Sequence, residues 1–182
     1  ANGTVGIYNT SGAVRISSWN ANRVKVDAVK RGRNEAEFAK VQIEVTARPE
    51  RVEVRVVYPS GFNWRGGGVT VDLDVKLPRT AAINPVNTSS GDITVTGPVE
   101  RLIARASSGN VSAQDVTDTA SLNSTSGNVT AARIGGELRA NATSGTLTIN
   151  EANSRVFANT TSGSIRVIQA RDDVTATVSS GD

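Results

Sequence analysis

The chain has 182 residues, a formal net charge of +3, 37% hydrophobic residues and only 4% aromatic ones. Cys, His and Met are absent, which excludes disulfide bonds, thiolate nucleophiles, imidazole metal ligands and a Ser-His-Asp triad. No apolar run approaches the roughly 18 residues that a membrane-spanning helix needs.

The two ends of the chain suggest an exported protein that continues beyond this sequence. The chain opens with ANGT, as a mature secreted protein or a trimmed fragment does, and no signal peptide is visible. It stops at SSGD, in the middle of a motif that recurs upstream, so we expect the natural protein to be longer.

The first recognisable element is TSGAVRI, from Thr10 to Ile16, in which Ser-Gly precedes alternating apolar and polar residues. The same signature returns in the second half of the chain, so it predicts an early coil of a repeat. The segment that follows, about Asn20 to Asp74, has a different pattern. We interpret it as a long excursion that interrupts the repeat.

The excursion contains four short runs in which Val, Ile or Leu alternates with polar residues, a pattern typical of strands with one buried face. The runs lie around 24–26, 41–45, 52–56 and 69–73. The connection ARPE between the second and third runs has hairpin length, which predicts antiparallel pairing. The segment RNEAEFAK predicts one short helix with Asn34 as its N-cap.

A basic cluster, VKRGR from Val29 to Arg33, lies within the excursion. Such a cluster attracts phosphate or an acidic envelope polymer, which makes it a candidate binding surface. The alternative is an ordinary solvated loop.

The segment YPSGFNWRGGG, from Tyr58 to Gly68, places Phe62, Trp64 and Arg65 in a Gly-rich loop between strands. Residues of these types are enriched in binding hot spots and can stack on sugars, so they are a candidate surface for a glycan or a protein partner. The alternative is that Trp64 folds back as a lid over an open end of the core.

The second half of the chain repeats every 18 residues, and each unit begins at the glycine of a Ser-Gly pair. These glycines are Gly91, Gly109, Gly127, Gly145, Gly163 and Gly181. Positions three and five of each unit are apolar, and so are positions twelve and fourteen. Each unit therefore predicts two short strands, and equal units predict stacked coils whose equivalent strands pair at about 4.8 Å.

The recurrent Ser-Gly pair predicts a corner at which every coil turns. Glycine permits a positive φ or a close approach of two backbones, and the preceding serine can hydrogen-bond nearby backbone. The same frame also extends backwards, because Val75, Leu77 and Val86 fall in the apolar columns. It predicts that 73–90 is a coil without its opening glycine.

A polar column precedes the corners. Its members are Asn87, Arg105, Asn123, Asn141, Asn159 and Thr177. Stacked asparagine amides can hydrogen-bond along such a ladder. The alternative is that these residues are simply an outward polar flank of the turn.

Catalytic and metal-binding patterns are weak. The closest carboxylate pairs, in the segments 115–118 and 172–173, lie in the turns between strands and indicate a solvated edge rather than a glycosidase or lyase site. Asp92 and Asp182 follow corner glycines, but their equivalents are Asn, Thr or Ser, so a carboxylate ladder for calcium is missing. We expect no catalytic residues, no metal site and no cofactor.

The early SGAV coil, the Val-rich hairpins, VDLDVKLPRTAAINPVNTSSGDITV and the repeated TSGNVTA and TSGSIRV resemble the bacterial putative-adhesin family of β-strand-repeat domains of unknown function. The resemblance covers nearly the whole chain and is most specific from Val69 onward. It implies a β-solenoid, for which a right-handed coil is the commoner precedent, an extracytoplasmic setting and no enzymatic activity.

These features together predict an all-β fold: a parallel β-solenoid, as a right-handed β-helix, with 18-residue two-strand coils and an N-terminal antiparallel excursion. We expect a single elongated domain over residues 1–182. Its early coil and hairpins occupy 1–72, and its solenoid repeats occupy 73–182.

The expected function is that of a non-enzymatic binding or scaffold module that is periplasmic, secreted or at the cell surface. Its expected partner is a cell-surface glycan or protein, and no nucleic acid. The main alternative is a structural spacer that presents other domains, and a polysaccharide-active enzyme is a more distant one. Because the last coil leaves an unpaired strand edge, we also expect fraying or weak self-association through the C-terminal edge.

Overall fold

The computed structural model describes residues 3–33, 35–60 and 68–181. Its elements in chain order are β1 (Thr4–Ser11), β2 (Val14–Trp19), β3 (Lys25–Arg31), α1 (Glu35–Phe38), β4 (Gln42–Arg48), β5 (Arg51–Val57), β6 (Thr70–Pro78), β7 (Ala82–Ser90), β8 (Ile93–Val99), β9 (Leu102–Ser108), β10 (Val111–Val116), β11 (Ala120–Ser126), β12 (Val129–Ile134), β13 (Leu138–Ser144), β14 (Leu147–Ala152), β15 (Val156–Ser162), β16 (Ile165–Val167) and β17 (Val174–Ser180).

The strands form two sheets on either side of one hydrophobic core. The first sheet has the order β17-β15-β13-β11-β9-β7-β1-β5-β4, and the second has the order β16-β14-β12-β10-β8-β2-β6-β3. From β7 onward each strand pairs in parallel with the strand two places later in the chain, so the chain alternates between sheets. The predicted all-β parallel solenoid is confirmed.

The pairing register confirms the coil length over the repeats. Val111 is level with Val129, and Val129 with Leu147, each 18 residues later. Because equal positions stack on one another, an apolar residue at a given position becomes one member of a continuous buried column.

Aliphatic residues fill the space between the sheets. The buried columns include Ile93, Val111, Val129 and Leu147 in the second sheet, and Leu102, Ala120, Leu138 and Val156 in the first, all at most 2% exposed. Sheets that face each other at roughly 10 Å leave room for such side chains but not for stacked aromatic rings. The low aromatic content of the chain follows from this thin core.

The early coil predicted from TSGAVRI is present. β1 pairs in parallel with β7, and β2 pairs in parallel with β8, so the first residues of the chain stack directly on the repeats. Gly12 provides the corner, with a φ of +116°.

The excursion forms the N-terminal end of the solenoid. β4 and β5 make the antiparallel hairpin predicted around ARPE, and β3 pairs antiparallel with β6. However, β5 and β6 also pair in parallel with β1 and β2, so half of the excursion adds a further parallel layer. The short helix is present as α1, whereas its predicted N-cap, Asn34, lies outside the described residues.

The prediction that 73–90 forms one coil is wrong. β6 lies beside β2, and β7 lies between β1 and β9, so the chain passes the whole layer of β1 and β2 on its way from β6 to β7. A coil of the repeat advances by a single layer. The sequence frame could not show this, because the early coil that intervenes comes from the start of the chain.

The register explains how the frame failed. Leu73, not Val75, is level with Val14 and Ile93, so 20 residues separate it from its equivalent instead of 18. One extra residue lies in a bulge of β7 between 83 and 86, and the other lies between β6 and that bulge. The 18-residue register holds from residue 86 onward.

The corner glycines bring neighbouring coils together backbone against backbone. Gly91, Gly109, Gly145, Gly163 and Gly181 have φ values between +143° and +156°. At each of these positions a Cβ would collide with the carbonyl group of the corner glycine in the preceding layer. A side chain is therefore excluded by the conformation and by the contact alike.

The C-terminal layer is less well covered than the others. Ile168 and Val174 are 52% and 42% exposed, whereas Val156, which is level with Val174, is fully buried. Self-association through this edge stays a prediction. Within the described part of the chain, no helix is both long enough and apolar enough to cross a membrane.

Candidate functional site

A groove of about 650 Å³ runs along the first sheet beside the glycine corners. Residues near the C-terminal ends of seven strands line it: β1, β7, β9, β11, β13, β15 and β17. Six strand spacings of about 4.8 Å make the groove roughly 29 Å long. We call this surface the ladder groove.

Two exposed or half-buried polar columns form its walls. The first is the column of Asn87, Arg105, Asn123, Asn141, Asn159 and Thr177. The second is a column of hydroxyls two residues farther along each strand: Ser89, Ser107, Thr125, Thr143, Thr161 and Ser179. The two columns lie on the same side of the sheet because side chains alternate with a period of two.

The asparagine column is a hydrogen-bonded ladder over three coils. Asn141 Nδ2 donates to Asn123 Oδ1 at 2.9 Å, and Asn159 Nδ2 donates to Asn141 Oδ1 at 3.1 Å. This confirms the ladder interpretation for these residues. The bonds fix the amide orientations, so the groove presents the same groups in successive coils.

Arg105 interrupts the ladder. It lies between Asn87 and Asn123 in the pairing register, where an asparagine would continue the pattern. As a result, Asn87 Oδ1 is buried without a hydrogen-bond partner, and Asn123 Nδ2 instead donates to Ser121 Oγ at 3.4 Å.

Buried hydroxyls between the two columns tie the strands to the corners. Ser124 Oγ donates to Gly109 O at 2.8 Å, and Thr160 Oγ1 donates to Gly145 O at 3.4 Å, each reaching the preceding layer.

Thr88 holds the equivalent position near the N-terminal end of the groove, but its Oγ1 has no partner. The equivalent carbonyl, Gly12 O, already accepts a hydrogen bond from Asn9 Nδ2 at 3.1 Å. Asn9 is level with Thr88 and therefore takes its place in the pattern.

The charge of the ladder groove comes from one residue. Arg105 is the one charged side chain among the lining residues, which all belong to the described part of the chain. The other polar groups are hydroxyls and amides. The groove can therefore hydrogen-bond a neutral or anionic chain along its length, and it attracts negative charge at one point.

A second ladder, at the glycine corners, has a structural role. Asp92 Oδ1 accepts the backbone N–H of Asn110 at 2.8 Å, and Asn110 Oδ1 accepts that of Asn128 at 2.9 Å. Asn128 Oδ1 does the same for Thr146. The one carboxylate of this column is thus used inside the corner. Among the described residues, no cluster of three or more Asp or Glu side chains could hold a metal ion.

The opposite corner of the coils contains a column of left-handed residues. Asp115, Arg133 and Glu151 have φ values of 62°, 53° and 58°, and they follow Gly97, with a φ of 101°, at 18-residue intervals. Such values are uncommon for residues other than glycine. The sequence analysis missed this column, and its one local signal is the Gly-Pro pair at 97–98.

The carboxylates considered for catalysis in this turn are bound by arginines. Arg133 Nη2 donates to Asp115 Oδ2 at 3.0 Å, and Arg101 Nη2 donates to Asp118 Oδ2 at 3.2 Å. The hydrogen bond from Arg133 lowers the pKa of Asp115 below its ordinary value, against a smaller opposing effect of burial.

The Asp115 ion pair predicts a pH-dependent contribution to stability. Because folding lowers the pKa of Asp115, this contribution is present above the ordinary pKa near 4 and is lost as the pH falls through the folded-state value. Asp115→Asn should therefore lower Tm at neutral pH, by no more than about 1 kcal/mol of stability since the pair is largely exposed, and have less effect near pH 2. Asn also tolerates a positive φ.

Thermal unfolding of both proteins at several pH values tests this. Asp74→Asn is the matched control, because Asp74 is exposed and has no ion pair among the described residues. A loss for Asp115→Asn that stays constant down to pH 2 would contradict the prediction.

The basic cluster is mostly engaged in the fold. Lys30 Nζ donates to the carbonyls of Phe38 and Val41, and Arg31 pairs with Asp72 at 3.3 Å. The cluster therefore offers less free positive charge than the sequence suggests.

The aromatic loop cannot be placed. Phe62, Trp64 and Arg65 lie outside the described residues, so the choice between a partner surface and a core lid stays open. The neighbouring Tyr58 donates its hydroxyl to Val69 O at 3.1 Å, and burial raises the pKa of Tyr58 to about 12.

Comparison with protein families decides the relationship. The model of the Toastrack DUF4097 family matches residues 65–182, which is well over half of the chain. The chain belongs to the Toastrack DUF4097 family. No curated protein matches the sequence.

Solved structures agree with this assignment at the level of the fold. A putative cell adhesion protein from Clostridium sporogenes has a TM-score of 0.51 at 13% identity, with 100% of this chain and 93% of the other covered. A putative adhesin from Bacteroides fragilis covers the same shares at 12% identity, with a TM-score of 0.40.

The Toastrack match includes every member of the ladder groove from Asn87 onward. The early coil, which supplies Asn9 to the groove, precedes the match. In this Toastrack chain the groove is therefore completed by a strand that the repeats themselves do not contain. The sequence analysis found the asparagine column but missed the hydroxyl column, whose signal is the Ser or Thr before each Ser-Gly pair.

Proposed function

We propose that this Toastrack domain is a non-enzymatic, extracytoplasmic binding module whose binding surface is the ladder groove. The observation that carries the proposal is the groove itself, which crosses seven strands and presents amides and hydroxyls at each layer. A linear partner can repeat the same contacts from coil to coil. A compact ligand would use only a fraction of them.

The chemistry of the groove supports binding rather than catalysis. It contains no carboxylate among its lining residues, and the turn carboxylates Asp115 and Asp118 are held in ion pairs outside it. Hydrolysis of glycosides ordinarily needs two carboxyl groups on either side of the scissile bond.

The extracytoplasmic setting is supported by names rather than by geometry. The two solved structures that share the fold are described as adhesion proteins, and the sequence resembles a bacterial family of adhesin-like repeats. A surface that recognises cell-envelope polymers agrees with such a setting.

A blocked groove tests the proposal. Thr143→Tyr adds a large side chain to the hydroxyl column, and Thr130→Tyr adds the same side chain to an exposed threonine of the second sheet. We expect the parent and Thr130→Tyr to be retained on purified cell-envelope material, and Thr143→Tyr to lose most of this retention while keeping its Tm.

The outcomes separate the proposal from its alternatives. Equal retention of both variants would place binding elsewhere, for example at the loop of Phe62, Trp64 and Arg65. No retention of the parent protein would favour a structural spacer.

A further inference from the structure

We propose that Arg105 anchors an anionic, hydroxyl-bearing linear glycan in the ladder groove. This inference rests on the proposed binding function and names the class of ligand. Its starting point is a break in an otherwise regular pattern.

Arg105 breaks the asparagine ladder without a compensating contact in the fold. Its side chain is exposed, and within the described residues it makes no hydrogen bond or ion pair. Its presence leaves Asn87 Oδ1 buried and unpartnered, which is costly for a polar atom. A residue that violates a local rule at a cost to the fold marks a functional position.

Thr88 is a second, independent observation at the same place. Its side chain is 5% exposed and lines the groove, and its Oγ1 has no partner because Asn9 occupies the equivalent carbonyl. Two adjacent residues, Asn87 and Thr88, thus carry unpartnered oxygens in the layer next to Arg105. Elsewhere in the groove the corresponding oxygens of Asn123, Asn141 and Ser124 are bonded.

These groups define the ligand chemically. The guanidinium of Arg105 binds a carboxylate or a phosphate, with two parallel hydrogen bonds as its preferred geometry. The oxygens of Asn87 and Thr88 require a hydrogen-bond donor, which a sugar or polyol hydroxyl supplies. The length of the groove requires a chain. An acidic polysaccharide and a polyol-phosphate polymer share this chemistry.

The test compares Arg105→Asn with Arg15→Asn. Arg105→Asn removes the charge and can restore the ladder from Asn87 to Asn123, whereas Arg15→Asn removes an exposed charge from the second sheet. Binding is measured by titration calorimetry with polygalacturonate, a poly(glycerol phosphate), neutral dextran and poly-glutamate. Thermal unfolding of each variant is recorded alongside.

We expect the parent to bind polygalacturonate or poly(glycerol phosphate) more tightly than dextran, and the better of the two identifies the anionic group. Arg105→Asn should weaken that binding about tenfold or more, with a Tm equal to or above that of the parent, and Arg15→Asn should stay within about twofold. A binding defect without a stability defect is not expected of a merely structural residue.

Three results would overturn the inference. They are equal losses for the two arginine variants, dextran bound as tightly as the anionic polymers, and preference for poly-glutamate, which would indicate an acidic protein partner. If Thr143→Tyr abolishes retention on envelope material while Arg105→Asn binds normally, the inference fails and the proposed function stands. If the parent binds no envelope material, both fail.

Discussion

Gly127→Val is expected to lower the free energy of unfolding by roughly 2 kcal/mol or more. A Cβ at Gly127 would lie 2.6 Å from Gly109 C and still closer to its oxygen, and it would also come within 3.0 Å of Ser124 Oγ. The obstacle is backbone, so no side-chain rotation relieves it. Insertion of a side chain must push the two coils apart at this corner.

The reason differs in part from the one that the sequence suggests. A repeated glycine at a turn suggests a positive φ, but the φ of Gly127 lies outside the left-handed region, unlike those of its neighbours in the stack. Close backbone approach remains as the cause. Gly127 N donates to Ser144 O at 3.1 Å, and this bond is among those that a wider spacing would break.

Urea unfolding of Gly127→Val and of Thr130→Val measures the effect. Thr130 is exposed on β12 three residues away, and valine preserves its size and its branched β-carbon. Thr130→Val should change the unfolding free energy by about 0.5 kcal/mol or less. Similar midpoints for Gly127→Val and the parent would refute the packing described for the corner.

Leu138→Ala is expected to cost roughly 2 to 5 kcal/mol. Leu138 is fully buried and stacks between Ala120 and Val156 in the first sheet. Both neighbours are smaller than leucine, so they cannot fill the space that its removal leaves. The paired strands on both sides hold the backbone in place, and the cavity should therefore persist.

Ile168→Ala is the matched control, because it removes a similar aliphatic group from a position that is 52% exposed. We expect its cost to stay below about 1 kcal/mol. A small loss for Leu138→Ala, or equal losses for the two variants, would show that the interior coils are not packed as the structure has them.

Periodicity made much of the fold predictable. Every coil meets the same neighbours, so an 18-residue repeat of apolar positions determines the strands, their parallel pairing and the buried columns at once. The asparagine ladder follows for the same reason, since equal positions stack. The hairpin around ARPE was predictable because both of its strands are adjacent in sequence.

The tertiary structure alone decided what non-equivalent neighbours bring together. The layer of β1 and β2 separates β6 from β7, and no local pattern records this because the contact joins residues far apart in the chain. The same insertion places Asn9 level with Thr88, which deprives Thr88 of its acceptor.

The functional consequence of Arg105 has the same origin. In the sequence it is one exception in a polar column, and only the unpartnered oxygens of Asn87 and Thr88 in the folded chain show what the exception costs. The ion pair of Asp115 with Arg133 also depends on a left-handed backbone that residue type does not predict. Repetition in sequence determines an average coil, whereas the departures that could serve binding depend on which coils become neighbours.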